Sequence, residues 1–337
     1  MIKVGLIGCG FMGGMHAACY QALESLGVKV TAMADTRPEF AEKLAAQYGA
    51  KVYETGMQLI EQADVDTVDI CLPTPMHVSH AVAAMKHGKN VFVEKPICLN
   101  PEEMRQILQV KQETGAKVQV GQVIRHWAEY VWLKETKDSG VYGRFLAGTF
   151  RRLSSRPTWS ANNWLGDVTG SGGVAVDMHV HDVDYVRYLL GEPDRVQAQA
   201  YRDDQGRIQQ IFALYGYGDQ VGVSIEACWD YPADFPFTAD FRVKFEKATV
   251  VLAGGVLTVY PEEGEPFTPK LQEEFQAEND IGGNVSSLGG YYNELKYFVE
   301  GLKGENDLSV ATAEEAVKSV QLVLREIEAA GGLIRKA

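Results

Sequence analysis

The first third of the chain alternates short apolar runs with longer segments whose apolar residues recur every three or four positions. Short runs rich in Val and Ile predict strands covered on both faces, and the longer segments predict helices. The predicted strands are Lys3–Ile7, Val28–Ala34, Asp66–Cys71, Asn90–Val93 and Lys117–Val120, and the predicted helices are Phe11–Leu26, Pro38–Tyr48, His77–His87 and Pro101–Thr114. Strands separated by helices predict a doubly wound parallel α/β sheet with right-handed crossovers.

The pattern changes after Val123. One long helix is predicted from Val174 to Leu190, and strands in which polar and apolar residues alternate come next, as in an antiparallel sheet with one covered face. These strands are Arg195–Tyr201, Ile208–Tyr217, Gln220–Trp229, Phe237–Glu246, Ala248–Ala253 and Val256–Tyr260, followed by a predicted loop at 262–288 and helices at Tyr291–Leu302 and Ala311–Ala330. We therefore expect two domains, 1–123 and 124–337, the second being α+β with an open, mainly antiparallel sheet.

Composition narrows the function classes. The net charge of −13 argues against a general nucleic-acid binder, which needs basic stripes to displace counterions. Five scattered Cys without a CxxC pattern indicate reduced thiols rather than a disulfide framework or a zinc knuckle. The chain has no apolar run of about 18 residues and no signal-peptide pattern, so we expect no membrane span and a cytoplasmic location.

A Gly-rich turn joins the first strand to the first helix. It reads Gly8-Cys9-Gly10-Phe11-Met12-Gly13. In a dinucleotide site the first Gly permits the tight turn, the second lets the backbone approach the pyrophosphate, and the third allows close helix–strand packing. The helix N-terminus then offers N–H groups and positive partial charge to the phosphates. The turn therefore predicts a Rossmann domain that binds a dinucleotide.

An acidic residue at the end of the second strand completes this pattern. Asp35 lies about 20 residues after the turn, where a carboxylate accepts hydrogen bonds from the adenosine ribose. Its charge would repel a 2′-phosphate, so we predict NAD rather than NADP. Arg37 leaves NADP open, because it is close enough to pair with such a phosphate, although an exposed Arg before a Pro is more often only solvated.

Several further motifs follow in order along the chain. They are Cys71-Leu72-Pro73-Thr74-Pro75-Met76-His77, Glu94-Lys95-Pro96, Gln122-Val123-Ile124-Arg125-His126-Trp127 and the segment from Ser171 to Asp182, SGGVAVDMHVHD. With the Gly-rich turn they span nearly the whole chain. The sequence resembles the glucose-fructose oxidoreductase / inositol dehydrogenase / rhizopine catabolism (Gfo/Idh/MocA) family.

The resemblance implies a fold, an activity and roles for residues. It implies a Rossmann domain followed by an α+β domain whose open sheet often mediates oligomers, here a dimer or tetramer. It also implies hydride transfer between nicotinamide and a secondary alcohol carbon of a sugar or polyol. Lys95 would touch the nicotinamide ribose and the reacting hydroxyl, and Asp177 and His181 would complete the catalytic set. The residues implied to line the cofactor are Pro73, Thr74, His77 and Glu94, beside Phe11 and Met12 of the turn.

These residue types suit the chemistry. Alcohol oxidation needs a base for the hydroxyl proton, and histidine titrates near neutrality. An ammonium beside the reacting oxygen stabilises alkoxide charge. Asp177 precedes His181 by four residues, so on the predicted continuous helix both face the same way.

The same segment is dense in metal-ligand types, namely Asp177, His179, His181, Asp182 and Asp184. On a strand, residues 177, 179 and 181 would share a face and could bind a divalent ion, but the apolar spacing favours a helix, on which His179 points elsewhere. We predict no metal. His179 stands where the family commonly has a small residue, and it is either a helix-packing residue or a substrate contact.

Substrate contacts are expected around the catalytic pair. Arg125, His126 and Trp127 follow the last Rossmann strand, where a ligand cleft is expected to open. Trp159, Asn163 and Trp164 precede the catalytic helix; Trp faces stack on sugar rings and amides bind hydroxyls, although each Trp is as readily a core residue. Two other functions stay open: oxidoreduction of a non-sugar substrate such as a dihydrodiol or a biliverdin-like tetrapyrrole, and NAD sensing without turnover. A sensor has no need of Lys95, Asp177 and His181.

Overall fold

The structure is a computed structural model that describes residues 1–158, 160–271 and 288–334, with only the backbone of 161 and 162. It divides into two compact units, one comprising Met1–Trp127 and Glu274–Lys318, the other Ala128–Glu273 and Ser319–Ala337. This differs from the predicted split after residue 123, because the chain returns to the first unit near its end. Among the described residues, none of the helices combines the length and the apolar character needed to cross a membrane.

The first unit contains a six-stranded parallel sheet in the order β3-β2-β1-β4-β5-β6. Its strands are β1 Ile2–Ile7, β2 Val28–Ala34, β3 Lys51–Tyr53, β4 Thr67–Ile70, β5 Asn90–Glu94 and β6 Val118–Gly121. Its crossover helices are α1 Phe11–Ala22, α2 Pro38–Tyr48, α3 Gly56–Gln62, α4 His77–Lys86 and α5 Pro101–Thr114. The order is that of a Rossmann sheet, which confirms the predicted doubly wound α/β fold.

Two elements of the first unit have no signal in the apolar periodicity of the sequence. β3 has three residues, two of them exposed, and α3 has seven, so neither is long enough to establish an apolar pattern. The predicted helix Phe11–Leu26 is shorter than expected. It ends at Ala22 and is followed by a 3-10 turn, Glu24–Leu26, which Gly27 closes in the left-handed region at φ 75°.

The second unit contains a seven-stranded sheet in the order β13-β12-β11-β7-β10-β9-β8. Its strands are β7 Phe145–Ser155, β8 Arg195–Arg202, β9 Ile208–Tyr217, β10 Val221–Tyr231, β11 Thr238–Phe245, β12 Ala248–Ala253 and β13 Val256–Pro261. Among the described strands of this sheet, the β7–β10 pair is parallel and the other neighbouring pairs are antiparallel, so the predicted mainly antiparallel sheet is confirmed. β7 was missed by the sequence analysis, because Gly148 and the pair Arg151-Arg152 interrupt its alternation.

Shorter helices accompany this sheet. They are α6 Ala128–Ser139, α7 Val168–Ser171, α8 Gly173–Asp177 and α9 Val180–Leu190, and two further helices close the chain, α10 Gly289–Lys303 and α11 Ala313–Ala329. α10 packs against α1 in the first unit, and its Leu295, Phe298 and Val299 join the core around Phe92. Residues 272–287 of the predicted loop at 262–288 lie outside the described residues.

Candidate functional site

The Gly-rich turn lies at the carboxyl end of β1, where α1 begins. Gly8 is left-handed at φ +93°, and a Cβ there would lie 2.3 Å from the Cys71 carbonyl oxygen. A Cβ on Gly13 would lie 1.9 Å from the Gly8 carbonyl oxygen. Both positions therefore require glycine. A Cβ on Gly10 would have an Arg37 guanidinium nitrogen as its nearest neighbour, at 3.9 Å, so there is room for a ligand to approach the backbone there.

The start of α1 suits an anion. Gly10 is its N-cap residue and provides no side-chain cap, and the first turn carries no acidic residue. Phosphate oxygens would meet the positive end of this helix, where the first turn itself adds no carboxylate. Gly10, Phe11 and Met12 lie at this helix start, which is where the sequence analysis expected the pyrophosphate.

Asp35 is held beside the turn. One carboxylate oxygen accepts a hydrogen bond from the Cys9 N–H at 2.9 Å, and the other accepts one from the Arg37 N–H at 2.9 Å. The Arg37 side chain lies 3.5 Å from the same carboxylate and stacks over the Phe40 ring at 3.9 Å. The carboxylate is thus fixed at the end of β2, and Arg37 is engaged with protein groups rather than only solvated.

A pocket of about 400 Å³ opens next to Asp35. It lies at the carboxyl ends of β1, β2 and β4, where open α/β sheets bind ligands. Its lining includes Ile7, Ala34, Asp35, Thr36, Thr55, Gly56, Met57, Leu72, Met76 and His80. Part of this lining had no signal in the sequence, because Thr55 is the N-cap of α3 and Gly56 and Met57 are its first residues, and this short helix shows no apolar period.

The segment after β4 crosses the same edge of the sheet. Thr74 is buried, and its hydroxyl has no hydrogen-bond partner within the described part of the chain. His77 is also buried, and its two ring nitrogens face the carbonyl oxygens of Pro96 at 2.8 Å and Leu72 at 2.6 Å. Burial lowers the pKa of His77, and the two carbonyls oppose that shift only in part. His77 therefore bridges the loops after β4 and β5.

Glu94 and Lys95 lie at the end of β5. Glu94 is buried; one carboxylate oxygen accepts from the Lys95 N–H at 3.1 Å and the other lies 3.1 Å from the His16 ring. Burial would raise the pKa of Glu94, but His16 and the Lys95 charge hold it below its ordinary value. Lys95 is half-buried and precedes a cis peptide bond to Pro96. The motif thus points its acid into the domain, toward a histidine that the sequence analysis did not single out.

Arg125, His126 and Trp127 follow β6. A short 3-10 turn, Val123–His126, buries Arg125 and His126, and the ring of His126 lies 5.7 Å from that of Tyr297. A Cβ on Gly290 would lie 2.0 Å from the Trp127 ring, so Trp127 packs directly on α10. Burial, followed by the Arg125 charge, lowers the pKa of His126 to about 3.

The helix carrying Asp177 and His181 is not continuous, contrary to the prediction. α8 ends at Asp177 and α9 begins at Val180. At the break the His179 N–H donates to the Val174 carbonyl, five residues back, and the His181 N–H donates to the Met178 carbonyl, three residues back. Four-residue spacing therefore does not by itself place the two side chains on one helix face. Both side chains are half-buried.

The other ligand-type residues of this segment have separate partners. The His179 Nε2 atom lies 2.7 Å from one carboxylate oxygen of Glu326, and the other oxygen accepts a hydrogen bond from the Tyr215 hydroxyl. Asp182 pairs with Arg152 through two hydrogen bonds, at 2.8 and 3.3 Å, and Asp184 accepts from the Ser319 hydroxyl at 2.7 Å. His179 is consequently a buried packing residue that joins α11.

The predicted aromatic substrate contacts are distributed differently. Trp159 lies outside the described residues, and Trp164 is half-buried in a 3-10 turn, Ala161–Gly166. Asn163 is exposed at φ 53° and lines a pocket of about 100 Å³ that also involves Arg156 and Trp229. Trp164, Asp177 and His181 are not part of that lining.

Comparisons with known proteins match two consecutive parts of the chain. The family model described as "Oxidoreductase family, NAD-binding Rossmann fold" matches residues 2–122. The model described as "GFO/IDH/MocA C-terminal domain" matches residues 130–251. Together they cover well over half of the 337 residues.

Individual relatives agree with the family models. An inositol 2-dehydrogenase of Rhizobium meliloti (strain 1021) is 34% identical over 202 residues, or 59% of this chain and 58% of that protein. The chain thus matches little more than half the length of this relative. A scyllo-inositol 2-dehydrogenase (NAD(+)) of Bacillus subtilis (strain 168) is 27% identical over 67% of each chain. The solved apo scyllo-inositol dehydrogenase from Lactobacillus casei superimposes with a TM-score of 0.78 at 25% identity, covering 98% of this chain and 96% of that one. The chain belongs to the Gfo/Idh/MocA family of oxidoreductases.

Proposed function

We propose that this chain is an NAD-dependent dehydrogenase that oxidises a secondary alcohol of a polyol or sugar. The observation that carries the proposal is the shared edge of the first sheet. The Gly-rich turn after β1, Asp35 after β2 and Lys95 after β5 all follow the carboxyl ends of parallel strands. Relatives named for inositol dehydrogenation support the substrate class.

The residues present suit NAD. There is room for a ligand to approach the Gly10 backbone, and the N-terminus of α1 has no side-chain cap. The buried Thr74 hydroxyl has no hydrogen-bond partner within the described residues. Asp35, fixed by two backbone N–H groups, presents negative charge where a 2′-phosphate would lie. Because Arg37 already pairs with Asp35 and stacks on Phe40, we expect NADP to be a poor alternative.

The protein side of the reaction needs three roles. Bound NAD supplies the hydride acceptor. The Lys95 ammonium stabilises negative charge on the reacting oxygen, His181 accepts the hydroxyl proton, and Asp177 orients the substrate or His181. Among the remaining candidates, Arg125 and Trp164 would contribute to substrate binding, whereas Asn163 lines a different pocket.

The test is NADH formation on a panel of inositols, aldoses and glycosides, with NAD and with NADP. Lys95→Ala should lower kcat by about 10²–10⁴-fold, because one positioned proton-transfer or charge-stabilising group contributes roughly that much. The exposed Lys86, on α4, provides the matched control Lys86→Ala, which should keep full turnover. Full turnover in Lys95→Ala would contradict the catalytic role. Tight NAD binding without turnover on any substrate would favour a sensor.

Assembly through the second sheet is also proposed. β7 to β13 alternate buried and accessible residues, and the accessible face carries Tyr201, Phe212 and Leu214, exposed by 55%, 43% and 52%. Adjacent exposed apolar side chains on one sheet face are typical of an interface. We expect a dimer or tetramer of identical chains. The cytoplasmic location stays a prediction of the sequence.

A further inference from the structure

Four buried ligand-type atoms converge in the first unit without hydrogen bonds. They are the Nε2 atom of His16, the Oε1 atom of Glu94 and both carboxylate oxygens of Glu294. His16 lies on α1, Glu94 ends β5 and Glu294 lies on α10. His16 and Glu294 are fully buried and Glu94 is 6% exposed. Within the described residues both Glu294 oxygens lack the donors that buried carboxylates normally have, whereas the His16 Nε2 and Glu94 Oε1 atoms face each other at the distance of an ion pair.

Their spacing suits a single cation. One ligand atom from each of the three side chains lies within 4.8 Å of the others. The His16 Nε2 and Glu94 Oε1 atoms are 3.1 Å apart, and they form an ion pair when the imidazole is protonated. Two ligands of a tetrahedral Zn²⁺, each about 2.0–2.1 Å from the metal, lie roughly 3.3 Å apart. The observed separation is therefore close to that of two zinc ligands.

The far side of the His16 ring is already oriented. Its Nδ1 atom lies 2.9 Å from a carboxylate oxygen of Asp69, which is fully buried at the centre of β4. An Nδ1–H that donates to Asp69 leaves the Nε2 lone pair pointing toward Glu94 and Glu294. A carboxylate behind a ligating histidine is the usual outer shell of a zinc site, where it fixes the tautomer and raises the basicity of the ligand.

Aromatic rings surround the His16 side chain. The rings of Phe92 and Tyr291 lie 5.5 and 6.2 Å from that of His16, and Phe298 packs on Phe92 at 5.5 Å. In such an apolar shell the Glu294 carboxylate, which lacks a donor within the described residues, and the Glu94 carboxylate, which accepts from the Lys95 N–H through one oxygen, are costly to bury as anions. A divalent ion would neutralise both and would be bound by the His16 Nε2 atom, the Glu94 Oε1 atom and the Glu294 oxygens.

We propose that His16, Glu94 and Glu294 bind one Zn²⁺ ion, with Asp69 orienting His16. One imidazole and two carboxylates match the ligands that Zn²⁺ takes in proteins. Mg²⁺ usually keeps several bound waters, and this apolar site offers few groups that could hydrogen-bond to them. The ion would be structural, tying the helix after the Gly-rich turn to the strand end before Lys95 and to α10. The site is distinct from the 177–184 segment, for which no metal was predicted, and it does not depend on the proposed function.

The decisive measurement is zinc binding by the full chain. The protein is stripped with a chelator, and Zn²⁺ is titrated back in competition with a chromophoric chelator. We expect about one Zn²⁺ per chain and a higher melting temperature when it binds, because an ion that binds the native state stabilises it. Glu294→Gln and His16→Gln should each weaken zinc binding at least tenfold, and Asp69→Asn about 10–100-fold.

Two controls lie close to the site. Glu300 shares α10 with Glu294 and faces Lys296, so Glu300→Gln should bind zinc like the unmodified chain. Cys71 contacts the Nδ1 side of His16 through its sulfur at 3.3 Å, so Cys71→Ser should also retain zinc. X-ray absorption of the zinc-loaded, unmodified chain should show nitrogen and oxygen ligands without sulfur, and this readout does not require any variant to fold.

Three results would overturn the site. The unmodified chain could fail to bind Zn²⁺ after stripping, in which case His16 is an imidazolium between two carboxylates. Glu294→Gln and His16→Gln could bind zinc as tightly as the unmodified chain. Sulfur ligation, or loss of zinc in Cys71→Ser with retention in Glu294→Gln, would place the ion on the Asp69 and Cys71 side instead. None of these outcomes depends on dehydrogenase turnover.

Discussion

At the scale of single residues, Asp35 shows how much a short-range pattern can predict. Its position after the second strand predicts that it accepts hydrogen bonds from the adenosine ribose. The structure adds that backbone N–H groups of Cys9 and Arg37 hold the carboxylate in place. Those bonds come from the Gly-rich turn and from the residue two places on, so the acid and the turn form one local unit. The sequence spacing therefore carried nearly all of this part of the site.

Asp35→Asn should lower kcat/KM for NAD by about tenfold to a hundredfold. The neutral amide keeps the shape and one acceptor but loses charge-assisted hydrogen bonds, which are worth about 1.5–3 kcal/mol each. The value for NADP should fall much less. Steady-state kinetics with both cofactors measure the ratio, and Glu39→Gln, at an exposed acid on the first turn of α2, is the control. An unchanged NAD/NADP ratio would remove Asp35 from cofactor selection.

His126 should make the folded state sensitive to acid. Its pKa is about 3 in the folded chain against 6.5 in its ordinary range, because burial and the Arg125 charge oppose protonation. The unfolded chain binds the extra proton between these values, so the stabilisation is present above pH 6.5 and is lost as pH falls toward 3. The contribution of one such group is at most about 1.4 kcal/mol per pH unit.

Urea denaturation between these pH values measures that slope. His126→Gln should reduce the slope of unfolding free energy against pH, whatever its effect on stability at neutral pH. His87→Gln changes an exposed histidine at the end of α4 and should leave the slope unaltered. Equal slopes in all three chains would mean that His126 titrates normally in the folded state.

At the scale of elements, the turn from β1 to α1 and the break between α8 and α9 behave differently. The turn is built from residues adjacent in sequence, and its three glycines make it predictable from the sequence. The break at Met178 and His179 has no comparable marker, because the apolar spacing continues through it. His179 is drawn to Glu326 on α11, nearly 150 residues away. A long-range contact thus accompanies an irregularity that helix periodicity cannot predict.

Gly13→Ala and Gly14→Ala should have opposite effects. A Cβ on Gly13 would lie 1.9 Å from the Gly8 carbonyl oxygen, whereas one on Gly14 meets no atom within 4 Å. Gly13→Ala should cost about 1–3 kcal/mol or more of unfolding free energy and weaken NAD binding, because the turn must widen. Gly14→Ala should stabilise α1 by about 0.5–1 kcal/mol. Chemical denaturation and NAD titration give both values; a tolerated Gly13→Ala would contradict the packing at the turn.

At the scale of the whole molecule, the two sheets present different problems. The parallel sheet is covered on both faces, and its strands show as apolar runs. The second sheet is covered on one face only, and its other face carries exposed apolar residues such as Leu214. That face is the surface through which we expect identical chains to associate.

Leu214→Glu should dissociate the proposed oligomer. A carboxylate buried at an interface without a partner costs several kcal/mol, so the mass in analytical ultracentrifugation should fall toward that of one chain. Val141→Glu is the control, since Val141 is 60% exposed and lies between α6 and β7, outside the strands of the sheet. An unchanged mass in Leu214→Glu would mean that the oligomer, if it forms, uses another surface.

The sequence by itself determined most of the first sheet, the Gly-rich turn, Asp35 and the alternation of the second sheet. These features depend on neighbours along the chain, where the period of burial is set by helix or strand geometry. Elements too short to show a period, β3 and α3, escaped prediction, and with them much of the pocket beside Asp35.

Only the tertiary structure decided which distant side chains meet. His16, Glu94 and Glu294 are separated by 78 and 200 residues, and no spacing links them. They converge because β5 lies two strands from β1 in the sheet and because α10 returns to pack on α1. Local periodicity encodes which residues are buried, whereas the path of the chain through space decides what each buried residue touches.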